Sequence, residues 1–284
     1  MTRHAALSRV VPAYRRGAPL SLPGVWDGLS IKLVEAAGFP CAFLSGGALS
    51  MARYGRRDMG LVTATEVAQA VSVIREVSDL PMFVDADTGF GNADNVTRTV
   101  RQFEAAGANA LQLEDQLFPK RCGFMADKAV IPAAEHADKI KAALDARRHA
   151  DTLIVARTDA RSIEGFDAAL DRAQLYAETG ADLIFIEGPE SVAEMAAISA
   201  ALGDEFPLVH NLVEGGVSPV HSAAELADLG YAVALHPLLL LHGFMRLAPD
   251  LLGHLRAHGS TQGLVSRIAD LHEINAFLTP EPKP

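Results

Sequence analysis

The chain is poor in sulfur, in aromatic rings and in positive charge, and each shortage removes a class of function. Two cysteines in 284 residues cannot build a disulfide framework. Cys41 lies in the apolar run Cys41-Ala42-Phe43-Leu44 and Cys122 in a Lys/Arg/Gly loop, settings too different for a shared zinc site. Against 35 acidic residues stand 25 lysines and arginines, a formal charge of -10 with a pI of about 5.4. That balance argues against nucleic acid or an anionic membrane as partner, since both need a clustered positive surface. No run approaches the roughly 20 apolar residues of a membrane span, the nearest being Leu238–Leu241. The opening MTRHAALSRVVPAYRRGAPLS is charged throughout and lacks the apolar core of a signal peptide. A cytoplasmic protein is expected, with small anions as partners held by a local positive site. A phosphate loop of the GxxxxGK type and low-complexity tracts are also missing.

What the chain does have is regular alternation. With 49% hydrophobic residues it can bury one large core, and a single barrel domain of roughly 250 residues is ordinary. Short apolar runs recur at Leu20–Val25, Cys41–Leu44, Met82–Val84, Ala108–Leu113, Thr152–Ala156, Leu183–Ile186, Leu208–Val209 and Tyr231–Leu235. Between them lie helical stripes such as Val96, Val100 and Phe103, or Phe166, Leu170, Ala173 and Ala177. Gly38, Gly107, Gly180 and Gly230 punctuate helix ends just before the next strand. Eight strand-helix units in one domain predict an α/β fold of (β/α)8 type, a closed TIM-type barrel. Its expected extent is residues 1–257, with a gating loop at 115–132, followed by a helical tail at 258–284. The tail follows a break at His258-Gly259-Ser260 and carries Leu264, Ile268, Leu271 and Ile274 at helical spacing; that stripe must pack on the barrel flank or on a neighbouring subunit.

In such a barrel the chemistry sits at the C-terminal ends of the strands, and there the polar residues fall. In chain order they are Ser45-Gly46-Gly47, Asp85 and Asp87, Glu114 and Asp115, Arg157 and Asp159, Glu187, His210 and Asn211, and His236. One acid at a strand end can simply cap the next helix, as Asn92 or Asp94 does for the helix of Val96. Several acids on adjacent strands repel one another unless a cation or strong donors sit among them. Oxygen ligands without cysteine or histidine suit Mg²⁺, with Asp87 nearest the ion and Asp85 and Glu114 acting through water. Ser45-Gly46-Gly47 reads either as a plain tight turn or as a nest of backbone N–H groups for a carboxylate; Arg157 offers a planar fork to another carboxylate.

After Glu114 the chain runs Asp115-Gln-Leu-Phe-Pro-Lys120-Arg121-Cys122-Gly123-Phe124, and the next helix begins near Ala133. This connection exceeds the usual 2 to 6 residues and is expected to act as a lid. A thiol flanked by two cations favours its thiolate and can trade protons near neutral pH.

Together these segments resemble the isocitrate lyase/phosphoenolpyruvate mutase superfamily, in order, from about Pro23 to Pro237. The motifs are Ser45-Gly46-Gly47, Asp85-x-Asp87-x-Gly89-x-Gly91-Asn92, Glu114-Asp115-Gln116, Lys120-Arg121-Cys122-Gly123, Ala156-Arg157-Thr158-Asp159-Ala160 and Asn211-x-x-Glu214-Gly215-Gly216. The resemblance implies Mg²⁺, substrates that are 2-hydroxy or 2-oxo carboxylates, an enolate-like intermediate and a loop cysteine that protonates the departing carbanion. It gives Asp58, otherwise an ordinary ion-pair residue beside Arg56 and Arg57, a supporting place at the metal site. It also implies homotetramers that exchange their last barrel helix. Cys122, Arg157, Lys120, Arg121 and Glu187 are thus the expected catalytic residues, and Asp85, Asp87 and Glu114 the metal ligands. Phe43, Ser45, Gly46, Gly47, Asp58, Gly123, Phe124, His210, Asn211, His236 and Pro237 are expected around the substrate.

Three positions depart from the methylisocitrate lyase pattern: Phe124 replaces a histidine, Phe43 a tyrosine, and His236-Pro237-Leu238-Leu239 a Tyr-Pro-Leu-Ser. A site built to hydrogen-bond a group rejects analogues lacking it, so fewer donors point to a smaller or more apolar 2-hydroxydicarboxylate than 2-methylisocitrate. The expected activity is a Mg²⁺-dependent carbon-carbon lyase. The alternatives are a phosphonomutase, suggested by the Asn211-x-x-Glu214-Gly215-Gly216 stretch, and an oxaloacetate hydrolase or decarboxylase. A non-catalytic relative is expected to have lost the acids or the thiol, which this chain keeps.

Overall fold

The computed structural model describes residues 2–123 and 127–279. Eight strands close into one parallel barrel in sequence order: β1 (Leu20–Val25), β2 (Ala42–Leu44), β3 (Met82–Asp85), β4 (Ala110–Glu114), β5 (Leu153–Thr158), β6 (Leu183–Ile186), β7 (Leu208–Asn211) and β8 (Val233–His236). The expected barrel is therefore the observed one. β1 and β6 match their apolar runs residue for residue, while β3, β4, β5 and β7 continue into the polar residues that follow. The reason is that ladder hydrogen bonding carries on past the last apolar side chain: Glu114 pairs with Arg157 and Asn211 with Leu235. The chemistry-bearing side chains thus stand on strand ends or one residue beyond them.

Alternation of side chains along the strands sorts the core into an inner and an outer layer. Leu22, Phe43, Phe83, Val155, Phe185, Val209 and Leu235 form one buried cluster with Leu7, Val10, Val11 and Tyr14 from the first helix (Arg3–Val10) and the turn after it. Arg3 reaches Asp182, just before β6, at 2.9 Å, so this helix stops the end of the barrel opposite the strand C-termini. Leu44, Val84, Leu111 and Ile154 face outward and pack with Val71, Ile74, Val100 and Phe103 of the surrounding helices. The seam between β1 and β8, where Pro23 pairs with His236, needs Gly24: a Cβ there would lie 1.9 Å from the Pro237 carbonyl oxygen.

The chain divides into two compact units, Met1–Leu240 and Leu241–Pro284, within the helix Leu239–His258. That helix ends at His258, and Gly259 after it takes φ +59°. In the second unit the stripe Leu264, Ile268, Leu271 and Ile274 does not lie on one helix. A 3-10 turn ends at Leu264, and a helix starts afresh at Leu271 because Asp270 and Glu273 form a capping box. No described helix is long and apolar enough to cross a membrane.

Candidate active site

At the end of β3 the backbone turns sharply. Asp87 adopts φ +45°, in the left-handed region that short polar side chains tolerate best among non-glycines. The turn is held by Ala86 N–H to the Gln112 carbonyl (2.9 Å) and Glu114 N–H to the Asp87 carbonyl (2.9 Å). Asp85 accepts from the N–H groups of Asp87 and Gly46, both at 3.3 Å. Ser45 is the N-cap of the helix Gly46–Tyr54, its Oγ accepting from Ala48 N–H at 3.1 Å. The two glycines after it let acids approach that helix start: a Cβ on Gly46 would stand 3.0 Å from Asp85 Oδ2 and 3.4 Å from Asp87 Oδ1, and one on Gly47 3.4 Å from Asp58 Oδ2. Negative charge is favoured there by the helix dipole.

Two buried cations divide these acids. Lys120 Nζ lies 2.7 Å from Asp58 Oδ1 and 2.9 Å from Asp87 Oδ1. Arg157 contacts Asp159 through Nε (2.8 Å) and Nη2 (3.1 Å), Glu187 at 3.1 Å and Glu114 at 3.4 Å, with its guanidinium 5.0 Å above the Phe185 ring. Asn211 donates to Glu187 at 2.7 Å. Burial pushes the Asp87 carboxyl up to about 7, against the pull of Lys120 and with repulsion from Asp85 and Asp58. Burial likewise raises Glu114 well above the carboxylate range despite Arg157. Burial opposes the Arg157 charge, yet Asp159, Glu187 and Glu114 hold its pKa above the ordinary value.

Among the described residues the acids outnumber the cations that reach them, and Glu114 Oε1 is buried without a hydrogen-bond partner. Oxygen-only donors, crowded carboxylates and an orphaned oxygen fit a hard divalent cation. Among the described residues no three His, Cys, Asp or Glu side chains form a ready-made ligand set, so an ion held here by Asp85, Asp87 or Glu114 would keep water ligands, as Mg²⁺ does.

Several of these groups line a cavity of about 50 Å³ at the barrel mouth. Its polar lining is Ser45, Asp58, Asp85, Gln112, Glu114, Lys120, Cys122, Arg157 and Asn211. Its apolar lining is Phe43, Met51, Val213, Pro237 and Leu238. Cys122 enters on the loop, its N–H donating to the Asp58 carbonyl at 3.1 Å. Gly123 beside it leaves room for Arg157, whose Nη2 would be 2.6 Å from a Cβ there. Of the two cations expected to flank the thiol, Lys120 turns to the acids, and Arg121 lies 3.5 Å from Asp127 at the surface.

Other expected residues stand behind the wall. Asp87, Gly46 and Glu187 support lining groups from the second rank. His210 is also outside the lining: its Nε2 bonds Ser218 Oγ at 2.8 Å, its ring meets Tyr231 edge-on, and burial lowers its pKa to about 4. His236 is half-buried and likewise off the wall, its pKa lowered by burial against the pull of Glu214. Phe124 lies outside the described residues.

Gln112, Met51 and Val213 line the cavity without having been expected there, and Asp115 and Gln116, which stand in a sequence motif, brace the site rather than line it. Gln112 sits two residues before Glu114 on β4 and so points the same way, a signal that was legible. Met51 and Val213 carry no chemical signature, whereas Leu238 belongs to the stretch His236–Leu239 read as a more apolar wall. Asp115 is fully buried and accepts from Thr158 Oγ1 (2.7 Å), Asp159 N–H (2.9 Å), Tyr176 OH (2.9 Å) and Arg172 (3.2 Å), tying β4 to β5 and the helix Phe166–Thr179. Gln116 braces the loop by accepting from Arg121 N–H (2.9 Å) and donating to the Arg121 carbonyl (2.8 Å).

A parallel eight-stranded barrel with acids, an arginine fork and a loop thiol at its C-terminal mouth defines a barrel enzyme for small carboxylates. The chain belongs to the phosphoenolpyruvate phosphomutase family, whose pattern it matches over residues 14–247, and it is an enzyme of the lyase type. It is 40% identical over 256 residues to 2,3-dimethylmalate lyase of Eubacterium barkeri, covering 90% of this chain and 88% of that one. It is 42% identical over 261 residues to the chloroplastic carboxyvinyl-carboxyphosphonate phosphorylmutase of Arabidopsis thaliana, covering 90% and 76%. Among solved structures, a 2,3-dimethylmalate lyase of the PEP mutase/isocitrate lyase superfamily superposes with a TM-score of 0.89 at 28% identity over 98% of this chain and 92% of that one. Phosphonopyruvate hydrolase in complex with oxalate and Mg²⁺ superposes with a TM-score of 0.84 at 28% identity, over 98% and 95%.

Proposed function

We propose that the protein is a Mg²⁺-dependent lyase that splits the C2–C3 bond of a small 2-hydroxydicarboxylate bearing apolar substituents, of the 2,3-dimethylmalate type, into a 2-oxoacid and a carboxylate. The observation that carries this reading is the mixed lining of the cavity: acids, Arg157 and Cys122 together with Phe43, Met51, Val213, Pro237 and Leu238. Those five apolar side chains offer no hydrogen-bond donor to a third carboxylate, and they suit methyl groups. Arg157 pairs with a substrate carboxylate. A carboxylate at the mouth takes the 2-hydroxyl proton, the C2–C3 electrons pass to the departing carbon, and the Cys122 thiol gives that carbon its proton. The abstracted proton returns to the sulfur, so the cycle balances. Bound Mg²⁺ would supply electrophilic stabilisation of the 2-oxygen.

A coupled assay for the 2-oxoacid tests it: 2,3-dimethylmalate should yield pyruvate and propionate, faster than 2-methylisocitrate yields its products. No 2-oxoacid from either would refute the lyase. The second reading, a phosphonomutase, is favoured by the 42% identity to the plant phosphorylmutase; phosphorus-carbon bond formation seen by ³¹P NMR would install it instead.

The second unit supports a homo-oligomer, and we propose a tetramer exchanging the helix Leu239–His258, as the resemblance implies. Phe244, Met245, Leu247 and Leu252 of that helix are each more than half exposed in the single chain, more apolar surface than a monomer usually leaves open. Light scattering reads the oligomer directly, and a monomer at micromolar concentration contradicts it. A cytoplasmic setting rests on the charge and the lack of a described membrane-spanning helix.

A further inference from the structure

We propose that Lys128 is the positioning residue that holds the thiol-bearing segment, residues 120–123, against the barrel and keeps Arg157 available to substrate. Lys128 stands on the return arm of the loop, outside every motif that marks the site. Its Nζ lies 2.7 Å from the Gly123 carbonyl oxygen and 3.0 Å from Asp159 Oδ1. The side chain is 4% exposed and that of Asp159 is fully buried, so the ammonium has left water for these two acceptors. A buried charge is retained only where it is paired and hydrogen-bonded.

The consequence for Cys122 is geometric. Its N–H is fixed to the Asp58 carbonyl, and the carbonyl one residue on is fixed to Lys128. The thiol-bearing residue is thus pinned from both sides. Among the described residues the loop arms are also tied at their base, by Leu117 N–H to Ala129 O (2.7 Å) and Ile131 N–H to Asp115 O (2.9 Å), and at the surface by the Arg121–Asp127 pair at 3.5 Å. Lys128 is therefore a buried charged link from the far arm to the segment carrying the sulfur, whereas the Arg121–Asp127 pair lies in solvent.

The consequence for Arg157 is electrostatic. Asp159 accepts from both Arg157 and Lys128. Without Lys128, the whole charge of Asp159 bears on Arg157 and competes with a substrate carboxylate for the guanidinium fork.

This inference builds on the lyase reading only in supposing that Arg157 meets a carboxylate; the placement of Cys122 is testable without any substrate. The measurement is the rate of iodoacetamide alkylation of ligand-free enzyme. Cys41 is fully buried and its thiol is pushed up to about 12, so the signal reports Cys122. Lys128→Met should be alkylated about tenfold faster or more, because the segment opens locally once its charged link is gone, while Lys128→Arg, which can span both acceptors, stays near the wild-type rate. In turnover assays of the coupled 2-oxoacid kind, Lys128→Met should lower kcat and raise KM together, and Lys128→Arg should restore most of both. Hydrogen exchange over residues 117–123 in Lys128→Gln gives a second readout should the methionine variant fold poorly, with faster exchange expected. Wild-type alkylation in Lys128→Met, or wild-type exchange in Lys128→Gln, would overturn the proposal. Absence of 2-oxoacid production would remove the lyase reading and leave the alkylation result standing.

Discussion

Two thiols show how far environment decides what a residue can do. Cys41 is enclosed by the barrel's inner cluster, and burial raises its pKa beyond any use at neutral pH. Cys122 opens onto the cavity beside Arg157 and the acids. If it is the proton donor, Cys122→Ser should lower kcat by about 10²- to 10⁴-fold, the range for loss of a positioned acid, with melting temperature and Mg²⁺ binding unchanged by calorimetry. The histidines make a different residue-scale prediction. Burial lowers His136 to about 3 and His210 to about 4, so in the folded protein both stay neutral at a pH where the unfolded chain, near 6.5, takes up protons. Stability should then be fully present above about pH 6.5 and fall as the pH drops toward 4, by on the order of 2 kcal/mol for each histidine at pH 5. Denaturant melts at pH 7 and pH 5 measure this, and equal stability at both contradicts it. The sequence showed that Asp85, Asp87, Glu114 and Arg157 gather at one rim. It did not show that His210 faces Ser218 rather than substrate, because a strand-end residue points inward or outward according to a register that only the closed barrel fixes.

At the scale of elements, the strands were legible because most of the apolar runs are bounded by glycine, proline or polar residues, and the barrel followed from their number. The loop was legible as too long to be a plain connection, but its internal bracing was not. Gln116 to Arg121 and Lys128 to Gly123 are contacts between residues five apart in irregular chain, where no period announces them. The helical tail misled for the opposite reason: the spacing of Leu264, Ile268, Leu271 and Ile274 suggested one helix, and the capping box at Asp270 begins a new one. Gly24 offers the sharpest test of an element boundary. A methyl there meets the backbone of Pro237, which cannot yield as a flexible side chain would. Gly24→Ala should destabilise the fold by about 1–3 kcal/mol, as overpacking does, seen as a lowered denaturation midpoint. An unchanged midpoint would mean that the β1–β8 seam is looser than it looks.

For the molecule as a whole, the formal charge of -10 is not spread evenly in its consequences. Lys120, Lys128, Arg157 and Arg172 are all buried on or behind the barrel mouth, each against one or more carboxylates. The positive site that an anionic substrate demands is thus internal, and composition alone could not place it. Even so, the carboxylates at the mouth remain under-compensated, with Asp87 and Glu114 driven toward protonation and one Glu114 oxygen unpartnered among the described residues. In the proposed reaction a divalent cation makes good that deficit while Cys122 faces the bound oxyacid. The most direct measurement is 2-oxoacid release from 2,3-dimethylmalate by enzyme stripped with EDTA and then titrated with Mg²⁺. Turnover should vanish on stripping and return with the metal, whereas undiminished turnover in chelator would contradict the account.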